Sequence, residues 1–265
     1  MRVTGKKIIT AIVVIAAVGW QGIGAFRKAD TSEIRQGALD AVADIASEAS
    51  KESSGGIAVP GHRGVSIPSY SGKAYAEVNG NRPLITDSEL SRTTFIRLSD
   101  KDSLGRPQVA FACLDRSTMP ETKRESIGMI KPAGWHTYNM PELKKLGSDS
   151  NYLYNRCHLI GFQLSGLNAD DRNLVTGTRQ LNTSNDAEGD GMLKWENETA
   201  DYMRETGNHA MYRVTPVYQG SSLLCEGVLM EARSVEDGRL SFCVFIYNEQ
   251  HGVKINHQTG EARLS

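Results

Sequence analysis

The stretch Tyr154-Asn155-Arg156-Cys157-His158-Leu159-Ile160-Gly161, with Asn173-Leu174-Val175-Thr176-Gly177-Thr178-Arg179-Gln180-Leu181-Asn182 behind it, decides how this chain is read. It places one imidazole, a neighbouring guanidinium and the carboxamides of Asn173 and Asn182 within residues 154–182. A histidine has an unperturbed pKa of about 6.5, so its neutral form can accept a proton at physiological pH. On an extended backbone adjacent side chains point to opposite sides, so Cys157 does not share a face with His158. That argues against a thiol nucleophile working beside the imidazole.

The chain has 265 residues, 39% of them hydrophobic, enough for a sizeable core. Lys+Arg 30 against Asp+Glu 31 leaves a net charge of -1, without the basic excess of a tight nucleic-acid binder. Contact with a polyanion must then be local, and a small basic cleft that releases its ligand readily suits an enzyme better than a repressor. Cys113, Cys157, Cys225 and Cys243 show neither C-x-x-C pairing nor zinc-type spacing. A hairpin of residues 222–235 and 240–248, turning at Glu236-Asp237-Gly238-Arg239, sets Cys243 opposite Ala232. No bridge to Cys225 forms within it, while bridges to Cys113 stay open.

Three regions follow from patterning. Arg2, Lys6 and Lys7 precede an apolar run over residues 8–19 that continues less cleanly to Phe26, so residues 1–28 read as a signal peptide or an N-terminal membrane anchor. Both readings stand. Either implies an extracellular protein, secreted or anchored to the outer face of the bacterial cytoplasmic membrane. Residues 29–56 read as a helical stalk and linker, with Ile34, Ala38, Val42, Ile45 and Ala49 along one thin stripe and Ser53-Ser54-Gly55-Gly56 as a joint. Residues 57–265 form the remaining domain. Strand patterns occupy 74–78, 94–98, 108–114, 210–218, 223–232 and 240–247, and residues 192–205 read as a helix stopped by Gly207. Strands, a helix, then strands predict an α+β domain whose helix packs on an antiparallel sheet.

Hydrolysing a phosphodiester takes a deprotonated water, charge neutralisation at phosphorus and help for the departing oxygen. His158 can supply the first. A hard cation bound through oxygen ligands can supply the others, and Asn182 offers one carboxamide oxygen for it. With a single protein ligand, water and phosphate oxygens fill the remaining positions, which is typical of Mg²⁺.

Residues 154–196 resemble the bacterial branch of the DNA/RNA non-specific endonucleases, the ββα-metal nucleases, a branch that includes secreted and DNA-entry enzymes. Their best-known motif, Asp-Arg-Gly-His, stands here as Asn155-Arg156-Cys157-His158. The resemblance implies an antiparallel sheet with a helix carrying part of a metal site. It implies His158 as general base, Arg156 near the substrate phosphate, and Asn182 as ligand to Mg²⁺, with Mn²⁺ as a substitute. Asn173, nine positions before Asn182, shapes the site, and Glu196 in Gly191-Met192-Leu193-Lys194-Trp195-Glu196 orients metal-bound water. DNA, and RNA beside it, would be cut with little sequence preference to 5′-phosphorylated ends. Gly134-Trp135 and Tyr212-Arg213-Val214-Thr215-Pro216 extend the likeness over roughly residues 70–250. Asn155 keeps hydrogen bonding without a charge, and Cys157 requires a backbone that accepts a Cβ.

Alternatives accompany several of these positions. Asn182 is also suited to a turn before Thr183-Ser184-Asn185-Asp186. Glu188 and Glu198 compete with Glu196. Arg179, on the presumed strand, either enters the cleft to bind substrate or pairs with an acid outside it. Lys194 is the other candidate for substrate binding, with Lys144-Lys145, Arg172 and Arg204 as a cationic margin or as solvated surface. A surface protein that binds nucleic acid without cutting, or a toxin nuclease domain, are the competing functions. No protein partner is implied.

Overall fold

Six β-rich segments of the chain can bury their side chains together only as one sheet, and they do so. The computed structural model describes residues 56–62, 64–183 and 190–265. The apolar N-terminal segment, the expected stalk up to residue 55 and Glu188 lie outside the described residues. The strands are β1 (Ile57–Ala58), β2 (Ser66–Ile67), β3 (Tyr75–Glu77), β4 (Phe95–Leu98), β5 (Ala110–Leu114), β6 (Tyr154–His158), β7 (Leu174–Thr178), β8 (Ala210–Val217), β9 (Gly227–Ser234), β10 (Ser241–Tyr247), β11 (Val253–Ile255) and β12 (Ala262–Leu264). The helices are α1 (Glu142–Lys145), α2 (Phe162–Ser165), α3 (Arg179–Asn182) and α4 (Met192–Thr206). The main sheet is six-stranded and antiparallel, in the order β3-β10-β9-β8-β5-β4, and β6 pairs with β7 as a separate antiparallel ribbon. The fold is therefore α+β, a large antiparallel sheet with a ββα unit, as the sequence indicates.

Both faces of the sheet are covered, so β8 is buried at every position. One face, carrying Tyr212, Val214, Met230, Phe242 and Val244, packs with Trp195, Ala200 and Met203 of α4 and with Cys157, Leu159 and Val175 of the ribbon. The Trp195 and Phe242 rings lie 4.9 Å apart. α4 buries Met192, Trp195, Thr199, Tyr202 and Met203 at helical spacing and ends at Gly207, left-handed at φ 70°, whose N–H returns to the Met203 carbonyl. The opposite face is closed by the chain before β4. There Val59, Ile67 and Val78 pack with Leu229 and Phe245, and Ile85 packs with Met211. The sheet and α4 thus form the floor that carries the ribbon.

The register of β9 and β10 corrects one expectation. Cys243 pairs with Glu231, and Phe242 takes the place opposite Ala232. Gly238 sits at φ 70°, a left-handed conformation that adds an odd residue to the connection and shifts the ladder by one. All four cysteines are buried and free, so no bridge to Cys113 exists. The short pair β11–β12 was not anticipated from its polar sequence. Among the described residues no helix is long and apolar enough to cross a membrane.

Candidate active site

The ribbon presents its residues to an open cavity of about 800 Å³ lined by Asn155, Arg156, His158, Arg179, Asn182 and Glu196. Register explains the convergence. Asn155 lies opposite Gly177 and His158 opposite Leu174, so the chain leaving β7 at Thr178 passes close to Asn155. The Thr178 hydroxyl accepts a hydrogen bond from the Leu181 N–H and caps α3, a single turn that brings Asn182 back over the ribbon. The sequence reading ran a strand through this segment. The cap ends that strand and starts the turn.

His158 is 6% exposed. Its Nε2–H donates to the Asn168 carbonyl at 2.9 Å, and a carbonyl can only accept, so the proton of the neutral ring sits on Nε2. Nδ1 keeps its lone pair on the cavity side, where the Arg124 guanidinium donates to it at 3.4 Å. Burial, and then the positive charge of Arg124, hold the imidazole pKa below its usual value against the opposing pull of the Asn168 carbonyl. The ring is neutral at physiological pH.

Asn155 answers the question raised by its missing charge. Its Oδ1 accepts from Asn182 Nδ2 at 3.4 Å and from Arg179 Nη1 at 3.1 Å, which an amide oxygen does without ionisation. With its nitrogen tied to Asn155, the Asn182 amide turns its oxygen the other way. Arg179 also forks onto Asp149, through Nε at 2.6 Å and Nη2 at 2.5 Å. It both lines the cavity and pairs with an acid.

Arg156 spends its donors on backbone. Nη2 donates to the Gly128 carbonyl at 2.8 Å, Nε donates to the Ile130 carbonyl, and the guanidinium lies over the Trp135 ring at 4.0 Å. Cys157 sits on the opposite side of β6, fully buried with its thiol pKa pushed up by burial. Its sulfur fills the space above Gly177, where a Cβ would come within 2.5 Å of it. β6 is ordinary extended backbone at this position and accepts a side chain.

Asn173 is 0% exposed and does not line the cavity. Its amide clamps Ile160 in both directions, Oδ1 accepting from the Ile160 N–H at 2.9 Å and Nδ2 donating to the Ile160 carbonyl at 3.0 Å. It fixes the backbone just past His158 and touches nothing in the cleft.

Glu196 reaches the cavity from α4. It packs so closely over Gly161 that a Cβ there would lie 2.4 Å from Oε2. Burial pushes its carboxyl up to about 7, opposed by a long hydrogen bond from Gln163 at 3.5 Å and by the charge of Arg124. Among the described residues no cation forms an ion pair with it. Lys194, two positions earlier and so on another side of the helix, does not line the cavity. Its ammonium lies 3.5 Å from Asp190 and 5.1 Å from the centre of the Tyr75 ring. It therefore stands outside the cavity that Arg179 lines. Arg172 and Arg204 pair with Asp170 and Asp201 on the surface. The residues that sequence reasoning missed are Arg124 and the Asn168 carbonyl. A lone arginine in a polar loop and a backbone oxygen carry no sequence signal.

Comparisons with known proteins bear on the family and the fold. The family described as DNA/RNA non-specific endonuclease matches residues 91–236. NucA from Streptococcus agalactiae, solved with magnesium ion bound, is similar over 71% of this chain and 86% of its own, at 27% identity and a TM-score of 0.61. The Sda1 nuclease, solved with bound zinc ion, is similar over 64% of this chain and 81% of its own, at 29% identity and a TM-score of 0.54. A protein described as an extracellular endonuclease shares 18% identity over 76% of this chain and 98% of its own, with a TM-score of 0.52, a likeness of fold alone.

Proposed function

Because this chain belongs to the DNA/RNA non-specific endonucleases and is thereby a nucleic-acid hydrolase, we propose that it cuts phosphodiesters with His158 as general base and a hard divalent cation, Mg²⁺ or in its place Mn²⁺, on Asn182. One observation carries this reading. A neutral imidazole with its proton fixed on the Asn168 side turns its lone pair, met by Arg124 at 3.4 Å, to the same cavity that Asn182 lines with its amide nitrogen tied to Asn155.

The residues fit such a cation. The Asn182 oxygen and the Glu196 carboxyl, which forms no ion pair among the described residues, are hard donors, and among the described residues no group of three or more His, Cys, Asp or Glu side chains forms a zinc-type cage. NucA with magnesium and Sda1 with zinc support a divalent metal here, and the oxygen donors favour magnesium. When bound, the cation supplies charge to the phosphate and to the departing 3′ oxygen. His158 Nδ1 removes a proton from the attacking water, and 5′-phosphorylated ends result. Glu196 orients water in the cavity. Arg179 and Asp149 hold Asn155, and through it Asn182, while Asn173 holds the backbone beside the base. DNA is the substrate, with RNA beside it. The basic-then-apolar N-terminus supports work outside the cytoplasm, cleaved or tethered, and the mass of the mature protein separates the two.

Full-length protein incubated with supercoiled plasmid and Mg²⁺ is expected to nick and then linearise it. EDTA should stop the reaction and added Mg²⁺ restore it. Intact plasmid with retained gel retardation would instead mark a protein that binds without cutting.

A second expectation concerns pH. The base works when neutral, so kcat/KM falls as pH drops through the His158 pKa, which burial and Arg124 hold low. Arg124→Ala removes a positive neighbour and raises that pKa, so the acid limb moves to higher pH. An unmoved limb, whatever the loss in rate, refutes this coupling.

A further inference from the structure

The motif arginine holds a turn whose tip is the most exposed large apolar side chain among the described residues. Met129 is 73% exposed. It stands in the turn of residues 127–130, closed by the Ile130 N–H donating to the Ile127 carbonyl at 3.1 Å. A single apolar residue on a surface needs no explanation by itself. The mounting is what distinguishes this one. Arg156 donates to the carbonyls of Gly128 and Ile130, on either side of Met129, and is backed by the Trp135 ring. Ile127, at the other end of the turn, is buried and lines the cavity. Arg156 and His158 lie two residues apart on β6 and face the same side. Met129 is thus carried at a fixed offset from the base, beside the cleft and clear of it.

A thioether on three rotatable bonds cannot read base edges, but it can slide between stacked bases. Side chains of this kind wedge base steps open from the minor groove and kink the duplex, an interaction that tolerates sequence. Arg124 within the cavity supplies a positive charge for a phosphate beside the turn. We infer that Met129 is a wedge that enters the base stack of a bound duplex next to the scissile phosphate, bending the backbone toward His158. Arg156 then acts as a positioning residue, holding the wedge. This rests on the nuclease reading and adds the form of substrate it distorts.

The test uses the full-length chain and a short duplex carrying 2-aminopurine at successive positions. Bound to the His158→Ala protein, the duplex is expected to brighten at one step as the base unstacks, and His158→Ala/Met129→Ala should bind without that rise. In otherwise wild-type protein, Met129→Ala should slow duplex cleavage about tenfold while leaving single-stranded cleavage within about twofold, because a single strand has no paired stack to open. Met129→Leu, which keeps an apolar wedge, should retain duplex activity. No rise at any position at saturating protein overturns the wedge, as does a Met129→Ala protein with an unchanged duplex-to-single-strand ratio. Absence of cleavage by the wild type would instead overturn the nuclease reading, and the fluorescence would still report on the wedge.

Discussion

His158→Ala is expected to lower plasmid cleavage by roughly 10²–10⁴-fold, the range that a positioned general base contributes. The size follows from the setting of the ring. Its Nε2–H is committed to the Asn168 carbonyl, so the whole neutral population presents Nδ1 to the cavity and no fraction is lost to the other tautomer. Among the described residues no second imidazole lines the cavity to take over. What survives in the variant should lose the limb that belongs to His158 and keep only the one set by Glu196, whose carboxyl burial pushes up to about 7. The variant should also keep a cooperative thermal transition, because the ring lies at the edge of the cavity and only two of its contacts are polar. Loss of less than tenfold, or a pH profile identical to that of the wild type, would remove His158 from the chemistry.

The second large effect lies on the far face of the sheet. Glu231 is 0% exposed and accepts from the N–H of Leu84 at 2.6 Å, from the N–H of Ile85 at 3.1 Å and from Arg213 Nε at 2.7 Å. Arg213 sits directly across from it on β8 and also reaches Glu89 at 2.7 Å. Truncating one partner of a buried pair leaves the other charge in low dielectric, and here two backbone donors are orphaned as well. Glu231→Ala is expected to cost about 3–5 kcal/mol. For a domain of this size that corresponds to a fall in Tm of roughly 6–20 °C. Replacing both partners, Arg213→Leu with Glu231→Leu, should recover the part of the loss due to the stranded charge, while the Leu84 and Ile85 N–H groups stay without their acceptor. Chemical denaturation of the three proteins checks this, and a single-variant loss under about 1 kcal/mol would contradict it.

Much of this was legible before any coordinates. The alternating β segments and the amphipathic run of α4 carry strong periodic signals, because each must bury a face against the same core. The motif around His158 and its spacing to Asn182 located the cavity. Other features depended on backbone geometry that spacing does not encode. Gly238 in its left-handed conformation moved a register by one, and the Thr178 cap turned a presumed strand into α3. The partners of Arg156 and His158 are mostly main-chain carbonyls, and no side chain marks a carbonyl in a sequence. Arg124 lies 34 positions before His158, so only tertiary folding unites them.

The four buried, unbridged thiols have a practical consequence. If the protein works outside the cell, its endurance there depends on cooperative packing alone, with no covalent cross-link to hold a partly opened chain together. Reductant should leave it indifferent. An alkylating reagent, by contrast, gains entry only when the core opens, so the pace at which the protein takes up label under native conditions is a direct clock for its opening.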